Sequence, residues 1–324
     1  MTRDRAVTKA APGPTAVRGR PPPAPGQASA RGGPDQAWPP GADQAAVAAQ
    51  AAAENFPVAL RLLPRRYRGH LMAVYKFART VDDIGDEAPP DQRLQLLDDL
   101  DEDLSRLYAA RQESPQPGSQ PRHPAVRGLA QVVTDCDIPV QPFRDLIAAN
   151  RQDQVVTRYE TFDELLGYCA LSANPVGRIV LQVFGASTHG RAELSDAVCS
   201  GLQIVEHLQD VAEDLRAGRV YLPAADMRSH GCTEQDLTGR MATPQLRRLI
   251  AAEADRAAEL IDSGAPLVGQ LHGAARVAVA GYVAGGRAAL AAVAKASFDV
   301  LAATPKPAKT RTIRELAATL VRGR

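Results

Sequence analysis

From about Asp43 onward the chain spaces its apolar residues at the period of a helix. The two-residue alternation of a half-buried strand is almost absent. A chain with that single period buries its apolar stripes helix against helix, so an all-α fold is expected. Breaks are expected at Ala88-Pro89-Pro90, over Ser114 to Pro124, over Pro139 to Pro142, over Gly218 to Pro223, near Gly239 and over Gly264 to Pro266. These leave roughly eight or more helices. No repeat or shift of composition divides them, so residues 44–303 are read as one helical domain. Residues 1–43, rich in Pro, Ala, Gly and Arg and containing Pro21-Pro22-Pro23, read as a disordered tail without the apolar run of a secretory signal.

Residues 304–324 read as a basic tail. Lys306, Lys309, Arg311, Arg314 and Arg322 lie there among Leu and Val, which suits either an amphipathic helix near anionic lipid or a frayed, solvated end. Aromatic residues make up only 4% of the chain, so the core must rest on Leu, Val and Ala. A net charge of +1 offers no global field for nucleic acid. Cys136, Cys169, Cys199 and Cys232 form no C-x-x-C pair and read as reduced thiols of a cytoplasmic protein. No run of about 18 apolar residues predicts a membrane span, which leaves a soluble or peripheral protein at the inner membrane face.

Two segments concentrate acid where a helix does not favour it. Gly69 to Glu87 is expected to be helical, with Val74, Phe77, Val81 and Ile84 inward. Tyr75, Arg79, Asp82 and Asp86 then fall within roughly 60° of one another. Asp82, Asp83, Asp86 and Glu87 crowd the C-terminal end, where the helix dipole disfavours negative charge by about 0.3–1 kcal/mol each. Ala192 to Ala217 is expected to form a second helix, with Gln203, Glu206, Asp210 and Asp214 within about 80° on one face. No Lys or Arg within that line relieves the repulsion between its acids. Magnesium, which takes oxygen ligands from one or two carboxylates together with phosphate, suits both segments. Each pattern alone is also compatible with a solvated acidic surface; two facing rows would clamp a metal–diphosphate from both sides.

The stretch Tyr75 to Glu87 (YKFARTVDDIGDE) resembles the first aspartate motif of the squalene and phytoene synthase family. Gln203 to Asp214 (QIVEHLQDVAED), followed by Gly218 to Pro223 (GRVYLP), resembles its second motif, and Tyr168 to Gly177 (YCALSANPVG) lies between them. The resemblance runs from about Glu54 to about residue 290. Three departures from the general pattern point to the hydroxysqualene-forming branch of the bacterial hopanoid pathway. The usual Asn-Ile-Leu-Arg-Asp is here Glu206 to Asp210, the common Ala-Gly is replaced within Ser172 to Pro175, and Ser-x-Ser-Phe is here Ala53 to Phe56.

The resemblance implies a single-domain isoprenoid synthase bundle with a central cavity. It implies magnesium on Asp82, Asp86, Glu206, Asp210 and Asp214, with Glu206 replacing a neutral ligand. It also implies diphosphate at Arg79, and the reacting substrate near Tyr168, Tyr221, Arg219, Gln203, Asn55, Phe56 and Asn174. Plainer readings stand beside these: Tyr168 and Tyr221 as core tyrosines, Arg219 paired with Asp214, Gln203 as a solvated side chain, His207 as a structural histidine and Asn174-Pro175 as a helix break. Phe56, Phe77, Tyr168 and Phe184 are candidate rings for stabilising a cation.

The expected reaction is conversion of presqualene diphosphate to hydroxysqualene by water capture, with no nicotinamide cofactor. The alternatives are joining of two prenyl diphosphates into presqualene diphosphate, squalene or phytoene, and a catalytically silent helical binding protein.

Overall fold

Every regular element in the computed structural model, over the described residues 63–112 and 120–323, is helical. Apart from helices there is a lone parallel bridge between Arg158 and Val220. Asn55, Phe56 and the segment expected as an N-terminal tail lie outside these residues. The first half comprises α1 (Arg65–Asp86), α2 (Arg93–Gln112), α3 (Pro124–Asp135), α4 (Gln141–Asp153), α5 (Phe162–Ser172) and α6 (Asn174–Val183). The second comprises α7 (His189–Gln209), α8 (Val211–Arg216), α9 (Ala224–Ser229), α10 (Pro244–Gly264), α11 (Leu267–Gln270), α12 (Gly273–Lys295) and α13 (Lys309–Arg322).

Local chemistry sets many of the helix ends. Thr161, Thr188 and Thr243 each turn a side-chain oxygen onto the first-turn backbone of α5, α7 and α10. Pro124, Pro142 and Pro175 sit in the first turns of α3, α4 and α6, where a missing N–H costs nothing. Asp103, buried on α2, accepts from the backbone N–H groups of Arg122 and His123 at 2.7 Å each, which fixes the entry to α3.

α1 packs on α3 and α4, while α7 lies along α10 and meets α6 and α12. The α7–α10 crossing is close because Gly201 lets the backbones approach. A Cβ there would stand 2.7 Å from Ile261 Cγ1 and 2.9 Å from the Ala257 carbonyl oxygen. Since backbone cannot step aside cheaply, Gly201→Val is expected to cost about 3 kcal/mol. Urea unfolding checks this: the midpoint should fall with an unchanged m-value, and an unmoved midpoint would deny the close crossing.

α12 is the one helix among the described residues long and apolar enough to cross a membrane, and half of its apolar window is buried inside the bundle. It packs against α7, α10 and α13. Of the two readings of the C-terminal residues, the helical one is observed. α13 is held to the body by Arg276, which donates to the carbonyls of Leu320 (2.8 Å) and Gly323 (3.0 Å), and by Arg287, which donates to Thr319 Oγ1 at 3.1 Å.

Candidate active site

The second acidic segment departs from the single helix expected over Ala192–Ala217. α7 ends at Gln209, Asp210 leaves helical geometry at φ −107° and ψ 15°, and α8 starts at Val211. The Asp210 carbonyl accepts from the backbone N–H groups of both Glu213 and Asp214 at 2.8 Å, so the chain turns there rather than running on. Asp210 and Asp214 therefore do not form one straight row with Glu206. They line a cleft of about 480 Å³ together with Asp86, Arg93, Asp153, Thr157, Glu213, Ala217 and Arg219, whereas Glu206 stays one turn back on α7.

The C-terminal ends of α1, α4 and α7 all reach this cleft, carrying Asp86, Asp153 and Asp210. Each end adds partial negative charge to that of the side chains. Five carboxylates face two guanidinium groups there, Arg93 and Arg219, and Arg93 is engaged with α1: it donates to the carbonyls of Asp86 (2.7 Å) and Ala88 (2.8 Å). Burial, then the neighbouring Asp214 and Glu213, push the Asp210 carboxyl above its ordinary range. An acid-rich, oxygen-lined cleft of this kind fits a divalent cation carried with phosphate. Among the described residues no three His, Cys, Asp or Glu side chains stand close enough to enclose a metal by themselves. Phosphate and water would have to complete any such shell.

Arg219 joins the two acidic segments. Its Nη2 donates to Asp86 Oδ1 at 2.8 Å, and its Nε is buried with no acceptor. The Arg219–Asp214 side-chain pair that the sequence allows is not observed; the Arg219 backbone N–H donates to the Asp214 carbonyl instead. Its segment is fixed by pairing with the loop after α4. The Val220 N–H donates to the Thr157 carbonyl at 3.0 Å, and Arg158 reaches the Gly218 carbonyl at 2.7 Å while pairing with Glu234. Gly218, at φ +84°, supplies the turn into this segment.

Asp82 sits one turn before Asp86 and accepts from Asn150 Nδ2 at 3.1 Å. Its carboxylate reaches solvent but stands deep among protein atoms. That desolvation pushes its pKa up to about 7, with the Asn150 hydrogen bond opposing. Gly85 permits this contact: a Cβ there would lie 2.1 Å from Asn150 Oδ1. Arg79 points its charge along its own helix, to Asp83 (2.7 Å) and Glu87 (3.1 Å), and does not line the cleft.

Behind the cleft Asp153 gathers a tyrosine cluster. The Tyr168 hydroxyl donates to its Oδ2 at 2.8 Å and the Tyr221 hydroxyl to its Oδ1 at 3.3 Å. Burial raises the Asp153 pKa, while the two phenols and Arg219 pull it back. Tyr159 stacks on Tyr221, and the His207 ring also lies flat against Tyr221, with centroids 3.7 Å apart. Gln203 contacts His207 at 3.3 Å, so it is tied to the same cluster.

The structure thus brings Asp82, Asp86, Asp210, Asp214, Arg219, Tyr168, Tyr221 and Gln203 into one region. Asn174 is elsewhere, buried between α6 and α7, where its Oδ1 accepts from Ser200 Oγ at 2.9 Å. Phe77 is wholly buried edge-on to Phe143, and Phe184 lies beside Tyr67, so neither ring borders the cleft. Asp153, Arg93, Thr157 and Asn150 belong to the site without any motif that sets them apart in the sequence, and Glu213 lies within the second motif but off the face expected for Glu206, Asp210 and Asp214. Gly85, in the last turn of α1, marks where another element approaches the first acidic segment.

Residues 49–314 match the model of the squalene/phytoene synthase family. The hydroxysqualene synthase of Rhodopseudomonas palustris is 37% identical over 221 residues, covering 67% of this chain and 71% of the relative. The phytoene synthase of Mycobacterium tuberculosis is 31% identical over 224 residues, covering 68% and 70%. Among solved structures, the squalene synthase HpnC of Alicyclobacillus acidocaldarius aligns with a TM-score of 0.70 at 39% identity, covering 78% of this chain and 94% of that one.

Proposed function

Because the chain belongs to the squalene/phytoene synthase family, we propose that it converts presqualene diphosphate into hydroxysqualene and releases diphosphate, with magnesium as cofactor. The observation that carries this reading is the single cleft on which both acidic segments, Arg219 and three helix C-termini converge. The likeness to hydroxysqualene synthases at 34–37% identity supports the choice of substrate and product.

Bound magnesium would act as a Lewis acid and neutralise the charge that builds on the leaving diphosphate. Asp82, Asp86, Asp210 and Asp214 would supply oxygens to hold it, with Glu206 as an outlying donor. Arg219, whose side chain lines the cleft, donates to the diphosphate from its guanidinium. Tyr168 and Tyr221, anchored on Asp153, hold a rigid aromatic wall against the reacting end. When the carbon–oxygen bond of the diphosphate breaks, the rearranged C30 cation takes up water, a carbon–oxygen bond forms, and the extra proton passes to solvent or the departing diphosphate.

The four free thiols support a cytoplasmic site of action. The test is product identification by mass after incubation with presqualene diphosphate in heavy-oxygen water. A magnesium-dependent C30 alcohol carrying the label is expected. Unchanged presqualene diphosphate sinks the reading. The phytoene synthase relatives support a condensing reaction as second reading, and its mark would be consumption of two farnesyl or geranylgeranyl diphosphates instead.

A further inference from the structure

One face of α13 has no counterpart in the chemistry above. Its inner side, through Leu316, Thr319 and Leu320, packs on the body. On its outer side Ile313, Ala317 and Val321 follow one another at four-residue spacing, within about 80° of helix surface. Ile313 and Val321 are each 66% exposed, and they are two of the five most exposed large apolar side chains among the described residues. The others, Leu94, Val155 and Met241, lie on separate elements.

Lys309 and Arg314 are exposed on either flank of this stripe, and Arg322 is exposed at its end. Glu315, the one acid of the helix, faces away and is paired with Arg311 at 2.9 Å. Apart from Thr310, the outer surface of α13 is therefore apolar, and the charged residues of the helix that flank it are cationic. An interfacial helix of this composition sinks its apolar stripe at the level of lipid headgroups and lets the flanking basic side chains reach the phosphates.

α13 is also joined to the cleft by a short strap. Gln209, next to Asp210, donates to the Pro305 carbonyl, and Lys306 bears electrostatically on Asp210. Lys309 begins α13 three residues later. A surface fixed this close to the cleft suits a product that partitions into lipid.

We propose that the Ile313–Ala317–Val321 face of α13, flanked by Lys309 and Arg314, docks on an anionic phospholipid bilayer. The lipid-soluble product invoked in its support rests on the proposed function; the docking itself rests on the helix.

The test is co-sedimentation of the full chain with vesicles of phosphatidylcholine mixed with phosphatidylglycerol, against vesicles of phosphatidylcholine alone. The unaltered protein should sediment with the anionic vesicles and remain in the supernatant with the neutral ones, and added salt should release it. Ile313→Asp with Val321→Asp, and separately Lys309→Gln with Arg314→Gln, should each weaken binding about tenfold. Turnover of presqualene diphosphate in detergent should be unchanged in both variants. Equal sedimentation of variants and parent, or equal binding to neutral vesicles, overturns the proposal. So does light scattering that reveals a dimer dissolved by the aspartate pair, since the stripe would then face a second copy. If no protein turns over presqualene diphosphate yet the vesicle results hold, the enzymatic reading fails and the docking surface stands.

Discussion

Asp210→Asn is expected to lower turnover of presqualene diphosphate by about 10³-fold while leaving the thermal midpoint unchanged or higher. The two effects have one cause. Asp210 sits at the end of α7 with its pKa raised by burial and by Asp214 and Glu213, so its ionised form is a liability to the metal-free fold. Asparagine keeps the size and removes the charge. The cleft then repels itself less, but it loses an oxygen that would hold magnesium against the leaving group. A variant with both low turnover and a lowered midpoint would indicate structural damage rather than loss of a ligand. A variant with full turnover would remove Asp210 from the site.

Asp153→Asn is expected to lower turnover by about 10²-fold, through misplacement of the tyrosines and of Arg219. The carboxylate accepts from Tyr168 and Tyr221 at once; an amide has only one oxygen, so one phenol loses its acceptor. Removing the charge also leaves Arg219 with less reason to stay beside Asp86. Because Asp153 and Tyr221 act through one contact, Asp153→Asn combined with Tyr221→Phe should cost less than the two losses added together. Measured rate losses that simply multiply would show that Asp153 and Tyr221 act independently.

Much of this arrangement is legible in the amino-acid sequence. The helical period of α1, α7, α10 and α12 is written in their apolar spacing, and Pro and Gly mark many of the ends. The two acidic segments stand out because they work against the helices that carry them, which is how a binding function shows itself in a sequence.

The break at Asp210 is hidden, since no Gly or Pro lies between Glu206 and Asp214 and the turn is made by one carbonyl serving two N–H groups. It takes Asp214 out of the straight line that an unbroken helix would build from Glu206 through Asp210, whose own backbone bond to the Glu206 carbonyl is kept. Arg79 is a related case. An ideal helical wheel sets it beside Asp82, but Asp83 on the same helix and Glu87 just past its end lie within reach and take its charge.

Arg93, Asn150, Asp153 and Thr157 escape notice for a different reason. Arg93, Asp153 and Thr157 enter the cleft, and Asn150 reaches Asp82 beside it, from elements whose own patterns are ordinary, and only the approach of α4 to α1 brings them together. Gly85, in the last turn of α1, is the local trace of that approach, because a Cβ there would meet Asn150 Oδ1 at 2.1 Å.

A cleft of five carboxylates should accept an anion only in company with a divalent cation. Calorimetric titration of inorganic diphosphate into the full chain, with and without magnesium, measures this dependence. Binding should require magnesium and should disappear in Asp210→Asn. Equal binding in the absence of any divalent cation would show that these carboxylates do not hold a metal for the diphosphate.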